Sequence, residues 1–283
     1  MMEPRVSAEK NAEFRGHLLS KESMLHAVDD LIPKWAEEEA AATPDADPAF
    51  AGQINRLVSE LHRTNVNRVF DHSASEIEKV FVNSLLFGFL SVDPGGIVIG
   101  APCKDAPKLV AEKQENFRAA RHVRLMTDVA GRNAKDYIEH LRKDGAMTPE
   151  EIAHWEMMTI VEPIMGEAFQ IIPQAGFPKL KVNDKSIRVD LLIWVGLRPD
   201  VKIVVECDGF EWHRDRETFT SDRQRDRLLQ ANGYQVIRCS GHEIYHQPVD
   251  CGMDLYGRLN EIRSAWKPLP PADPDNHEWS GKP

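Results

Sequence analysis

Acidic residues stand in this chain where acids are costly. Asp190 interrupts the apolar run Arg-Val-Asp-Leu-Leu-Ile-Trp-Val, and Glu206 and Asp208 close Lys-Ile-Val-Val-Glu-Cys-Asp-Gly. Both runs read as strands whose near-continuous apolar character is that of strands covered on both faces, where an unpaired carboxylate is unfavourable. Between them, Gly196-Leu-Arg-Pro-Asp200 can turn the chain into a hairpin centred on residue 198. Such a hairpin pairs positions whose numbers sum to 396, which sets Asp190 opposite Glu206 on one face and Asp208 two residues further along it.

Carboxylates side by side in a poorly hydrated place repel, so one must take a proton or all must share a cation. An all-oxygen set suits Mg²⁺ or Mn²⁺ rather than zinc, and such an ion polarises a phosphoryl oxygen and acidifies an attacking water. Asp190, Glu206 and Asp208 are therefore the expected metal ligands. Gly209 permits close approach of a ligand, and the set fits phosphodiester hydrolysis. Phe210-Glu-Trp-His213 follows directly, which brings His213 within reach as a general acid or base, although a lone loop histidine is more often a surface residue. The competing reading is a strand-end Asp and Glu facing solvent.

Other residues of these types carry less. The stretch His213 to Arg227 holds five arginines against four acids. Arg223 and Arg225 are the candidates for nucleic-acid phosphate contact, with at least one of the helix's arginines expected to pair with Asp222 or Asp226. Trp194 and Trp212 could stack on bases, but core packing is the commoner fate. Cys239, His242, His246 and Cys251 offer four zinc-type ligands within thirteen residues. Paired Cys-x-x-Cys knuckles are lacking, and a buried strand cysteine followed by surface histidines is the simpler reading.

The elements that must position these residues follow from period and punctuation. Candidate helices cover about 20–39 and 50–65, separated by Ala-Ala-Thr-Pro-Asp-Ala-Asp-Pro. Ser75-Glu-Ile-Glu78 opens a helix with a capping box, and Ile77, Val80, Phe81, Ser84 and Leu85 then share one face. Helices are also expected within 104–145 and over 148–162, the latter from Thr-Pro-Glu-Glu. Strands are expected at 168–173, 188–195, 202–208 and 234–239. A charged helix over 221–232, capped by Gly233, lies between the last two and implies that they pair in parallel. After Trp266 the proline-rich tail reads as disordered.

Length suits a catalytic domain with an appended part. Lys and Arg number 35 against 45 Asp and Glu, a net charge of −10, so no broad basic surface grips a polyanion and any positive charge must be concentrated in one place. The N-terminus lacks an apolar signal core and the most apolar stretch, 80–92, is too short to span a bilayer, so a cytoplasmic, membrane-free protein is expected. Four cysteines in a chain of this length indicate reduced thiols.

In combination these residues resemble the restriction-endonuclease-like superfamily, the PD-(D/E)XK nucleases, and within it the very-short-patch-repair branch. The elements in order are the helix opening Ser-x-x-Glu78, a strand ending in Gln174, the Val-Asp190 strand, Glu206-Cys-Asp208-Gly with Trp212-His213, and Arg225-Asp226 leading to Gly-Tyr-Gln-Val-Ile-Arg238. The resemblance implies an α/β fold with an αβββαβ core and mixed sheet at 71–266, a helical N-terminal region at 1–70, a helical insertion at about 93–162 and a disordered tail at 267–283. It implies a Mg²⁺-dependent (or Mn²⁺-dependent) endonuclease acting on DNA, in repair or defence against foreign DNA, with Glu78 joining the catalytic set. The alternatives are an inactive nuclease-derived binding or assembly module and an RNA-cleaving effector, with the helical regions available to a protein partner or homodimer. One departure is clear: the family's usual Glu-x-Lys reads Glu206-Cys-Asp208, which leaves His213 to substitute for the lysine.

Overall fold

The computed structural model describes residues 7–42, 48–129, 166–209 and 216–266. The helices expected over 148–162 and beyond residue 129, the proline-rich tail, and Trp212 and His213 lie outside them.

Helices α1 (Ala8–Leu18), α2 (Lys21–Ala42), α3 (Pro48–His72) and α4 (Glu76–Val92) lead into a short strand β1 (Ile97–Ile99) and helix α5 (Ala106–Val129). The second half runs β2 (Phe169–Val182), β3 (Lys185–Val195), β4 (Arg198–Asp208), α6 (Arg216–Ala231), β5 (Gln235–Ser240), α7 (Gly241–His246) and α8 (Pro248–Ser264). The strands form one mixed sheet in the order β1-β2-β3-β4-β5. The inner strands are antiparallel hairpins, whereas β1 pairs with β2, and β5 with β4, in parallel. Strand β4, helix α6 and strand β5 thus form the expected parallel crossover. Gly233, with φ of 82°, ends it in a left-handed conformation that glycine adopts without strain.

Two differences from expectation have local causes. The first inner strand continues past residue 173 because Asn183 and Asp184, both with positive φ, make a tight turn that folds β2 back onto β3. Strand β1, inside the segment expected to be helical, is only three residues long, too short for a period to register. Its outer edge is covered by α3: Asn65 donates Nδ2–H to the Ile97 carbonyl and accepts the Ile99 N–H at 2.8 Å, as a further strand would.

Two cores flank the sheet. One gathers Leu18, Met24, Val28, Ile32, Val66 and Val69 of the N-terminal helices with α4, α8 and Leu191, Ile193, Ile203 and Val205 of the sheet. The other places Val110 and Phe117 of α5 and Leu229 of α6 over Leu192, Trp194 and Val204. The N-terminal helices are thus built into the core that supports α4. Helix α8, which periodicity did not single out, crosses α4 where Gly252 meets Ser84; a Cβ at 252 would fall 2.2 Å from the Ser84 hydroxyl. Among the described residues no helix is long and apolar enough to cross a membrane.

His62 on α3 ties this scaffold to the turn before β1, its Nε2 lying 2.5 Å from the Pro94 carbonyl. Burial holds its pKa down to about 4, against 6.5 for the free side chain. The unfolded chain therefore takes the proton first, and stability present above pH 6.5 is lost as pH falls toward 4. Between pH 7 and pH 5 this group should cost about 2 kcal/mol. Melting of a His62→Gln variant over that interval should show a correspondingly smaller decline than the parent; an equal decline would assign the acid sensitivity elsewhere.

Candidate active site

The ladder between β3 and β4 pairs Leu191 with Val205, Leu192 with Val204, Ile193 with Ile203 and Trp194 with Lys202, the register in which numbers sum to 396. The turn is tighter than expected. It lies at Gly196–Leu197, with Val195 paired to Arg198, and an irregularity next to Trp194 absorbs the offset. The ladder stops at Leu191 and Val205, one position short of the acids. There the Asp190 carboxylate accepts the Cys207 N–H at 2.8 Å, a side chain taking the place of the next backbone acceptor.

A second irregularity brings Glu78 to the same point. Along β2, Ile171 and Ile172 enter opposite cores, but Ala175 and Phe177 both enter the α5 and α6 core; along β3, Ile187 and Val189 lie in that core while Leu191 and Ile193 lie in the other. The inside-outside alternation therefore reverses between residues 172 and 175 on one strand and between 189 and 191 on its neighbour, and the register is the same on either side. Gln174 lies in that interval with φ of 49°, a conformation costly for a residue with a Cβ. Its Nε2 donates to Glu78 Oε2 at 2.9 Å, and its side chain also hydrogen-bonds Asp190.

Glu78 fills the expected first turn, but the capping box is only half formed, because its carboxylate turns to the Ala74 N–H and not to that of the Ser75 cap. Its N–H is capped by Ser75 Oγ at 3.1 Å and its Oε2 accepts the Ala74 N–H at 2.9 Å, as a residue of the first helical turn does. The same carboxylate faces the sheet, with its pKa raised by burial first and by Asp190 among the lesser causes. The pKa of Asp190 is likewise raised by burial, opposed by the Cys207 N–H and by Arg225.

Glu206 is the most perturbed of the three. It is 4% exposed, its Oε1 has no hydrogen-bond partner, and burial pushes its pKa up to about 8 despite Arg225. Arg225 Nη2 lies 3.2 Å from Glu206 Oε2 and 3.8 Å from Asp222 Oδ1, while its buried Nε lacks a partner. Arg225 is thus turned to an acid rather than outward, whereas Arg223, two residues earlier on the helix, is exposed.

Asp208 is engaged elsewhere. Both of its oxygens accept from Arg238, at 2.7 Å from Nε and 2.5 Å from Nη2, and Arg238 Nη1 reaches both oxygens of Asp226 at 3.0 and 3.1 Å. This clamp joins β4, β5 and α6 across the position where the resembled family has its lysine. Arg238 is the Cα partner of Glu206 in the parallel ladder, a placement that the crossover implied but that residue types alone did not single out. Gln174 was also passed over as a functional residue; its signal was the same as that of Asp190, a polar residue set in a buried run.

Trp194 is buried in the α5 core beside Phe117, with ring centroids 6.2 Å apart, and is not available to stack on a base. Cys239, His242, His246 and Cys251 do not assemble: among the described residues no group of three or more His, Cys, Asp or Glu could hold a metal ion. Nor do Glu78, Asp190, Glu206 and Asp208 form such a group. Asp190 and Glu206 suit a hard divalent cation as a pair of carboxylates, the number from which Mg²⁺ is commonly held with waters and a substrate phosphate completing its shell. The orphaned buried Oε1 of Glu206 is the observation that favours the fit.

Residues 166–259 match the family model REase_MTES_1575. It is a restriction-endonuclease-like family, and the match supports that superfamily and a nuclease character for the chain. It covers about a third of the sequence, from the approach to β2 into α8, and so includes Gln174, Asp190, Glu206, Arg225 and Arg238 but not Glu78. No curated protein matches the chain. No solved structure matches it either.

Gln174 yields a test at this level. Gln174→Gly relieves left-handed strain of roughly 1 kcal/mol while removing hydrogen bonds of similar worth. Its melting temperature should stay within about 3 °C of the parent. Any activity of the site should fall about tenfold as Glu78 and Asp190 lose their common donor. Unchanged turnover would make the bridge dispensable.

Proposed function

We propose that this protein is a metal-dependent endonuclease that hydrolyses DNA phosphodiester bonds, with Asp190 and Glu206 as metal ligands and Glu78 completing the acidic set. One observation carries the reading: a buried glutamate with an unpartnered oxygen, beside a half-buried aspartate, at the end of an inner hairpin. The order α4, β2, β3, β4, α6, β5 supports an αβββαβ nuclease core, and the family match supports nuclease chemistry.

Bound between Asp190 and Glu206, Mg²⁺ or Mn²⁺ would supply Lewis acidity toward a phosphoryl oxygen and a lowered pKa for water. The chain's own groups do the positioning. The Cys207 N–H and Gln174 fix the Asp190 carboxylate, and burial of Glu206 keeps competing water away. Arg225, turned inward, holds the Glu206 carboxylate, and phosphate contact is assigned to the exposed Arg223 on the same helix. Asp208 is assigned to the Arg238 clamp in this proposal, and the proton transfer is assigned to His213, just beyond β4. The test is plasmid DNA incubated with purified protein and Mg²⁺, with and without chelator, beside a single-stranded RNA of similar length. Chelator-sensitive DNA cutting is the expected result. Cutting of RNA alone would establish the effector alternative, and chelator-insensitive cutting would end the metal assignment.

One observation favours a second reading, a nuclease-derived binding module without turnover: Glu206 and Asp208 are both already ion-paired with arginine. Calorimetric titration with Mn²⁺ separates the two. A site abolished by Glu206→Ala supports the enzyme, and no detectable site supports the module.

A further inference from the structure

The chain's excess of acid makes any local concentration of unpaired positive charge informative. The outer half of the β2–β3 hairpin is such a place. Residues 178–188 read Pro-Lys-Leu-Lys-Val-Asn-Asp-Lys-Ser-Ile-Arg, four cations against one acid, in a protein with a net charge of −10. Lys179, Lys181, Lys185 and Arg188 are all exposed, and among the described residues none of them forms an ion pair.

The shape is that of an arm. Beyond the Phe177–Ile187 pair the register shifts, residues 178–180 lie in the irregularity, and pairing resumes at Lys181–Ser186 and Val182–Lys185 before the turn at Asn183 and Asp184. An extra stretch of this kind on one strand bends and twists a ribbon. From the Phe177–Ile187 pair to the turn the ribbon runs on the order of 15 Å, with Leu180 and Val182 packed against the α5 and α6 core and the lysines left exposed. Its inner end is continuous with the acidic site, because the same two strands carry Gln174 and Asp190, and Arg188 is close enough to act on the Glu78 carboxylate.

We propose that this hairpin is the nucleic-acid-docking arm of the protein: Lys179, Lys181, Lys185 and Arg188 contact the phosphates of a DNA duplex lying across the acidic site. Charge complementarity selects the occupant. A polyanion gains from exposed cations that form no ion pair among the described residues, and a two-stranded ribbon is narrow enough to follow a groove. The arm also supplies the concentrated positive charge that an acidic nucleic-acid enzyme needs. The inference deepens the nuclease reading, yet its test is independent of turnover.

The probe is a fluorescein-labelled 20-base-pair DNA duplex, titrated with the full-length protein in EDTA across a series of salt concentrations. The triple variant Lys179→Gln/Lys181→Gln/Lys185→Gln should bind at least about tenfold more weakly near 0.1 M salt. The slope of log affinity against log salt should shrink in magnitude by about two to three. The triple Lys→Arg variant should retain both affinity and slope. None of the three lysines belongs to either core, so thermal melting of each variant should match the parent. Unchanged affinity and slope in the glutamine variant would overturn the inference and leave the arm to an acidic protein surface. Arm-dependent binding without cleavage would sustain the docking role and count against the nuclease reading, whereas cleavage with arm-independent binding would do the reverse.

Discussion

Asp190→Asn should reduce Mg²⁺-dependent DNA cleavage on the order of a thousandfold or more while leaving the fold intact. The substitution keeps the shape of the side chain and an oxygen able to accept the Cys207 N–H, so the β3–β4 junction survives. What it removes is a negative charge beside Glu206 in a buried place, which a metal-dependent site needs and a merely structural one does not. The Asp190 pKa is raised by burial, so the folded chain already carries this charge at a cost, and the variant should melt no lower than the parent at neutral pH. The readouts are initial cleavage rates with supercoiled plasmid at fixed Mg²⁺ and a thermal melt without metal. Equal cutting by both proteins would remove Asp190 from the chemistry, and a collapsed melt would make it a structural residue.

Glu206→Gln should separate stability from activity more sharply. The folded pKa of about 8 lies above the ordinary 4.5, so the protonated form is favoured by folding. The sign follows directly: the stabilising contribution is complete below about pH 4.5 and is lost as pH rises through 8. At pH 8.5 without metal the parent holds an uncomfortable buried carboxylate, and the neutral amide relieves it. Part of the gain is offset because Arg225 loses its partner at 3.2 Å. The expected net is on the order of 2 kcal/mol, an increase of several degrees in melting temperature, fading to nothing near pH 4.5.

Mg²⁺ should close the gap from the other side. It should raise the melting temperature of the parent at pH 8.5 and leave Glu206→Gln unmoved, while the variant loses cleavage. A Glu206→Gln protein less stable than the parent at pH 8.5 would show instead that the Arg225 pair dominates the local energetics.

Residue types and their spacing carried the central part of the proposed site. An acid in an apolar strand is legible because burial of charge is expensive in any fold, and that reasoning singled out Asp190 and Glu206. The register of Leu191 to Trp194 against Lys202 to Val205 was also legible, because the two apolar runs and one short connection admit few pairings. The position of the turn was less so. Gly196 and Leu197 make it, and the irregularity at Trp194 restores the register, a compensation that loop length alone does not reveal.

Asp208 illustrates the limit of reasoning from a strand's period. Two residues beyond Glu206 it was placed with the metal ligands, yet Arg238 on the next strand and Asp226 on the crossover helix draw it into a clamp. The decision belongs to a partner thirty residues away in the chain, brought adjacent by the parallel pairing of β4 and β5. Gln174 makes the converse point, since its left-handed backbone is what unites an acid on a helix with an acid on a strand.

The sequence by itself determined that acids lie at strand positions where they must be paired or neutralised, that a charged helix crosses between parallel strands, and that acids outnumber bases, 45 to 35. Those conclusions need only local geometry and the cost of burying charge. The tertiary structure alone decided that Glu78 and Glu206 are buried, that Glu206 keeps an unpartnered oxygen while Asp208 is clamped, and that the cations of residues 178–188 are exposed on the hairpin that carries Gln174 and Asp190. Each of these depends on contacts between residues far apart in the chain, and such contacts are set by the packing of the whole core.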